Sequence, residues 1–137
     1  MNTNRIGNIS LLEVSSLFLR LGYNVFMPMG DGYRIDLVVG DVHGKLFRIQ
    51  IKTVAAESPK GVVRIRTCGR NAKHYVGDVD HVIAYDRRDG CIYAVKPERA
   101  GTVTLAKTKP KTNKRYVLAA DCLLHRVYEA QWGIRQG

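Results

Sequence analysis

With 137 residues, 45% hydrophobic and 25% charged, the chain has the size and balance of one globular domain, and residues 1–137 are expected to form a single unit. Its formal net charge of +10, of which +8 falls after residue 60, points to a polyanionic partner. Three widely spaced cysteines argue against a disulfide framework or a structural zinc site, and the lack of an apolar run of roughly 18 residues or of a secretory h-region favours a reducing, cytoplasmic setting without membrane contact.

In chain order, Leu11, Val14, Leu17, Phe18 and Leu21 recur at helical spacing, so Ser10–Leu21 reads as an amphipathic helix stopped by Gly22. Its start lies as early as Thr3 if Gly7 is tolerated inside. Glu13 sits at the shoulder of the apolar stripe, where a carboxylate can reach the sheet beneath. Equally, Ser10-Leu11-Leu12-Glu13 fits a capping box, with Glu13 bonded back to the backbone. Gly22–Gly32 reads as a turn, a short strand ending near Pro28, and a Gly-rich loop leading to Tyr33.

The next stretch organises the chain. Two runs, Tyr33–Val39 and Leu46–Thr53, flank the turn Gly40–Gly44 as a hairpin. Alternation puts Asp36 on one face of the first strand, and Arg48, Gln50 and Lys52 together on one face of the second. Pairing can then gather a carboxylate, an amide oxygen and an ammonium on one patch. A carboxylate and a neighbouring oxygen can hold a hard divalent cation with several waters, and a nearby lysine can orient or help deprotonate one of them. Phosphodiester hydrolysis needs those parts. A hairpin with one solvated face fits the same short pattern.

Val54–Lys60 connects to Val62–Thr67, which alternates Val63 and Ile65 inward with Arg64 and Arg66 outward and reads as a third strand of the sheet. Arg64, Arg66, Arg70, Lys73, His74 and Tyr75 form a basic stretch suited to phosphates, although a solvated strand face also accounts for the first two. Asp80–Asp86 and Cys91–Val95 pair around Arg87-Arg88-Asp89-Gly90, and Thr102–Ala106 reads as a further strand. The following loop carries Lys107, Lys109, Lys111, Lys114 and Arg115, and at this net charge a grip on a phosphate backbone is favoured over plain solvation. Asp121–Ala130 looks helical with Asp121 as N-cap; Trp132 either anchors its end or joins its apolar side in a subunit contact.

The order of a helix with Glu13, a strand with Arg34-Ile35-Asp36-Leu37-Val38 and a strand with Gln50-Ile51-Lys52-Thr53 resembles the PD-(D/E)xK nuclease superfamily. Leu21-Gly22-Tyr23-Asn24-Val25, and Tyr75 followed by Asp80-His81-Val82-Ile83-Ala84, make it similar to the group I intron-encoded homing endonuclease branch over roughly residues 3–98. The resemblance implies an α/β fold with a restriction-endonuclease-like core, a central mixed β-sheet flanked by an N-terminal helix and a C-terminal helix. It implies Glu13, Asp36, Gln50 and Lys52 as the catalytic set, with Mg²⁺ (or Mn²⁺) on Asp36 and Gln50 supported by Glu13, and Lys52 at the attacking water. Gln50 stands where most of the superfamily has Asp or Glu, and Ile35 where the family pattern has Pro. The amide removes one negative charge, which Glu13 would restore. The implied activity is site-specific, Mg-dependent endonuclease cleavage of double-stranded DNA near the nucleoid, with Arg64, Arg66, Arg70, Lys73, Tyr75 and the 107–115 loop on the duplex. Cutting both strands needs two centres, hence a homodimer or homotetramer. The alternatives are a Holliday-junction resolvase of the same superfamily and a non-catalytic nucleic-acid-binding module with a decayed site.

Overall fold

The computed structural model describes residues 2–30, 32–111 and 115–131. Helix α1 runs Thr3–Arg20. Its start is fixed by Asn2, whose side chain accepts the backbone N–H of Arg5 at 2.9 Å, satisfying one of the amides a helix leaves open at its N-terminus. Ser10 is therefore mid-helix and does not cap it; the capping box over Ser10–Glu13 is not formed. At the other end Gly22, with φ of 89°, lets its own N–H reach Leu19 O and the Tyr23 N–H reach Phe18 O, both at 3.0 Å. This paired closure needs a left-handed residue at that position.

Strands β1 (Asn24–Phe26), β2 (Leu37–Gly40), β3 (Leu46–Thr53), β5 (His81–Tyr85) and β6 (Ile92–Val95) form one sheet in the order β1-β2-β3-β5-β6. All neighbours are antiparallel except β3 and β5, which run parallel with Gln50 opposite Val82 and Lys52 opposite Ala84. Strand β4 (Val62–Arg66) pairs instead with β7 (Thr102–Ala106) in a separate two-stranded sheet. The expected third strand thus has the expected inside and outside but lies in another layer. β5 already occupies the edge of β3, and β4 contributes Val63 and Ile65 to the core beneath while Arg64 and Arg66 face water.

The central sheet is covered on both faces, which is why β6 is buried along its whole length and β5 through its middle. On one face Val14 and Phe18 of α1 pack on Leu37, Val39, Ile49, Ile83, Ile92 and Ala94, joined by Leu124 and Tyr128. On the other, Val63, Ile65 and Leu105 pack on Val82, Ala84, Tyr93 and Val95. Phe18, Tyr23 and Tyr128 meet edge to face, with ring centroids 5.0–5.7 Å apart.

Two expected elements are shorter than the sequence suggests. The first hairpin strand begins at Leu37, not Tyr33, because residues 33–36 leave the ladder. The C-terminal helix is a single turn, α2 (Leu124–Val127). Asp121 lies before it in a 3₁₀ turn, Ala119–Cys122, and Leu123 between them is extended (φ −57°, ψ 136°) and bridges to Tyr93, which breaks the run. Trp132 lies outside the described residues. No helix among the described residues is long and apolar enough to cross a membrane.

Phe18 of α1 is fully buried against the central sheet, Tyr23 and Tyr128. Phe18→Ala is expected to lower the unfolding free energy by about 3–5 kcal/mol, read from the midpoint of a urea titration.

Candidate active site

The site lies where β2 and β3 part. In register, Leu37 faces Ile49, so the next pair inward would be Asp36 and Gln50. There the first strand stops pairing: the Asp36 N–H still donates to Ile49 O at 2.8 Å, but the backbone then turns away. The N–H of Ile51 has no strand on that side to receive it. Its acceptor is the Asp36 carboxylate, at 2.8 Å. A buried backbone donor needs a partner, and here a side chain replaces the missing strand.

The turn away has its own cause. Arg34 donates from Nε to Asp78 Oδ2 at 2.7 Å and from Nη2 to the carbonyls of Lys73 and His74. These bonds draw residues 33–36 toward the loop between β4 and β5 and open a fork in the sheet.

A cavity of about 660 Å³ occupies the fork. Asp36, Ile51, Lys52 and Thr53 form its floor, the first half of α1 one wall, and the exposed loop of Met27, Pro28, Gly30 and Tyr33 the other. Ser10 of α1 and Thr53 share a hydrogen bond of 2.6 Å between their hydroxyls, which fixes the helix over the end of β3. The buried face of α1 uses serines at positions 10 and 15, whose small side chains let helix and sheet approach closely.

Burial raises the Asp36 carboxyl above the ordinary Asp value, opposed by the Ile51 N–H and by the ammonium of Lys52. Gln50 is buried on the same strand, and its Nε2 donates to Ile51 O at 3.3 Å, so the nitrogen end of the amide is engaged. Lys52 projects toward Tyr75, with Nζ 5.2 Å from the ring centroid.

The remaining expected site residues are placed as follows. Glu13 is exposed on α1 and does not line the cavity. Arg64 and Arg66 are exposed on β4, and Lys73, Lys109, Lys111 and Arg115 are exposed in loops. Lys107 is paired with Asp89 at 2.6 Å and lies 3.9 Å from Asp86. Tyr75 is 6% exposed, so its ring is not a surface for nucleic acid. The Arg70 side chain and Lys114 lie outside the described residues. No cluster of three His, Cys, Asp or Glu suited to a metal ion occurs among the described residues. Sequence reasoning missed the Ile51 backbone, the Ser10–Thr53 contact and the Arg34 tether. All three depend on contacts between distant segments that no local pattern records.

A raised carboxyl favours the protonated form in the folded state. Its stabilising contribution is present at low pH and is lost as pH rises from the unfolded value of about 4 through the higher folded one. Asp36→Asn keeps an acceptor for Ile51 and removes the charge. It is expected to raise the melting temperature at pH 7, with the gain fading as melts are repeated toward pH 4.

The model of the PD-(D/E)XK endonuclease family matches residues 1–122. Among solved structures, a bacterial homing endonuclease, I-Ssp6803I, is similar to this chain with a TM-score of 0.70 and 23% identity, over 99% of this chain and 98% of the other. The shared architecture is restriction-endonuclease-like. No curated protein matches the sequence.

Proposed function

The chain belongs to the PD-(D/E)XK endonuclease family, and on that premise we propose that it is a divalent-metal-dependent nuclease that cuts double-stranded DNA at specific sites, acting as one domain in an assembly of two or four copies. The observation that carries this reading is the fork, where Asp36 and Lys52 line one cavity beside a polar helix wall.

The donors we assign are oxygens: the Asp36 carboxylate and the Ile51 carbonyl, from residues that line the cavity, and the oxygen end of the Gln50 amide, which is buried next to Ile51 on β3 and is not part of the lining. That set fits Mg²⁺ or Mn²⁺ in kind, and its low charge fits an ion that is completed by a substrate phosphate and waters. When bound, such an ion polarises the scissile phosphate and lowers the pKa of a bound water. Asp36 supplies the fixed negative charge and is held in place by Ile51. Gln50, whose nitrogen is tied to the Ile51 carbonyl, has its amide oxygen as the donor in this assignment. Lys52 orients the attacking water or stabilises negative charge developing on the phosphate oxygens. Glu13, facing solvent, has no part in this assignment. Arg64, Arg66, Lys73, Lys109, Lys111 and Arg115 are exposed cations available to the duplex backbone. The similar solved structure is that of a bacterial homing endonuclease, which supports the site-specific reading. Two cuts need two centres, which is the reason for the assembly.

Gln50 favours one second reading, a DNA-binding module whose cleavage has decayed, because Asp36 is the one carboxylate of the described lining. The experiment is cleavage of a randomised duplex library with Mg²⁺ or Mn²⁺ against EDTA, with affinity measured separately without the activating ion. Wild type is expected to cut. Asp36→Asn and Lys52→Ala are expected to lower the rate by about 10²–10⁴-fold with DNA affinity within about threefold, and Glu13→Ala to stay within about threefold in rate. Binding without cutting in any metal would select the second reading.

A further inference from the structure

Lys52 carries its amine on four rotatable carbons, yet the reading above needs that amine at one place. Among the described residues it takes part in none of the ion pairs, and Asp36 beside it is bonded to backbone. What the ammonium does face is the ring of Tyr75, 5.2 Å from Nζ to the centroid. The ring is held on several sides. The Arg34 guanidinium lies over it at 4.2 Å and is itself locked by Asp78 and two carbonyls. The ring is packed into the second core with Val63, Ile65, Val79 and Ile35. The backbone at Gly69 closes on its hydroxyl so tightly that a Cβ there would come within 2.9 Å of the oxygen.

We propose that Tyr75 is the positioning residue of the site: a fixed π face that holds the Lys52 ammonium at the mouth of the fork without drawing on the Asp36 charge. This deepens the nuclease reading and rests on it for the role of Lys52. The physical reason for a ring in this position is specific. A carboxylate partner would hold the amine more tightly but would add negative charge beside the phosphate and occupy the amine's donors. A neutral ring attracts the cation through its quadrupole and leaves the N–H groups free for water or phosphate. Arg34 contributes by pinning the ring, and Asp78 by neutralising Arg34 and keeping its charge off the cavity.

The test uses full-length protein with Tyr75→Phe, Tyr75→Leu and phenylalanines bearing one, two and three ring fluorines at position 75. Fluorination keeps the shape of the ring while draining its face of negative charge, so folding is preserved where the leucine variant fails. Two readouts are taken: single-turnover cleavage with DNA affinity measured apart, and the NMR shift of the Lys52 ε-methylene protons, which a ring face moves upfield. Expected are cleavage within about twofold of wild type for Tyr75→Phe, a stepwise fall across the fluorinated series to about tenfold, unchanged DNA affinity, and upfield Lys52 signals that return to ordinary positions in Tyr75→Leu. A rate that is flat across the fluorinated series, or a fall in DNA affinity that matches the fall in rate, overturns the proposal. Ordinary Lys52 shifts in the wild type overturn it whether or not the chain cuts DNA. Upfield Lys52 shifts in a chain that cuts nothing leave the ring's hold on Lys52 standing and sink only the nuclease reading.

Discussion

One hydrogen bond ties the backbone to the proposed chemistry: the Ile51 N–H on the Asp36 carboxylate, at 2.8 Å. It exists because β2 stops pairing before β3 does. A sheet that splits leaves a backbone donor facing inward, and such a donor is expensive to bury without a partner. An acid placed one residue before the strand satisfies it. The same bond fixes the carboxylate in a half-buried position where, desolvated, it keeps a strong affinity for positive charge. The structural requirement and the chemical one are met by one side chain.

The surroundings hold the fork open. Beyond it, β3 is paired only on its other side, with β5, so everything on the open side comes from outside the sheet. α1 closes one face through Ser10 and Thr53. Behind the other face lies the layer of β4 and β7, with Tyr75 among its core. Arg34 pulls the departing strand toward the loop that carries Asp78. Because both faces of the central sheet are packed with apolar side chains, these polar attachments act against a scaffold that cannot yield far.

The elements set by local pattern were legible in the sequence. The hairpin around Asp89-Gly90, the strand Thr102–Ala106 and the alternation of Val63, Arg64, Ile65 and Arg66 follow from period-two spacing and turn chemistry. The resemblance carried by Asp36 and Gln50-Ile51-Lys52 identified the family. What spacing could not give was the full width of a buried face, and layer. On α1 the stripe of Leu11, Val14, Leu17, Phe18 and Leu21 packs on the core as its spacing requires, but Ser10 and Ser15 are buried beside it, which apolar spacing does not record. Glu13, at the shoulder of that stripe, is exposed. The layer of β4 depends on which strand claims the edge of β3, a competition settled between segments some thirty residues apart. Tyr75 stands next to basic residues in sequence and was grouped with them, but its ring turns inward while Arg64, Arg66 and Lys73 reach water.

The amide of Gln131 links three distant places. Its backbone N–H reaches Leu21 O at 2.6 Å, its side-chain oxygen accepts from Val42 at 3.2 Å, and its side-chain nitrogen donates to the Tyr23 hydroxyl at 3.1 Å. The last of these joins residues 108 positions apart. The entropy of closing a loop rises with its length, so a contact of this separation adds to the non-local pairing that slows folding. The end of α1 and the tip of the first hairpin thus share a single clasp, so a change at position 131 is felt at both.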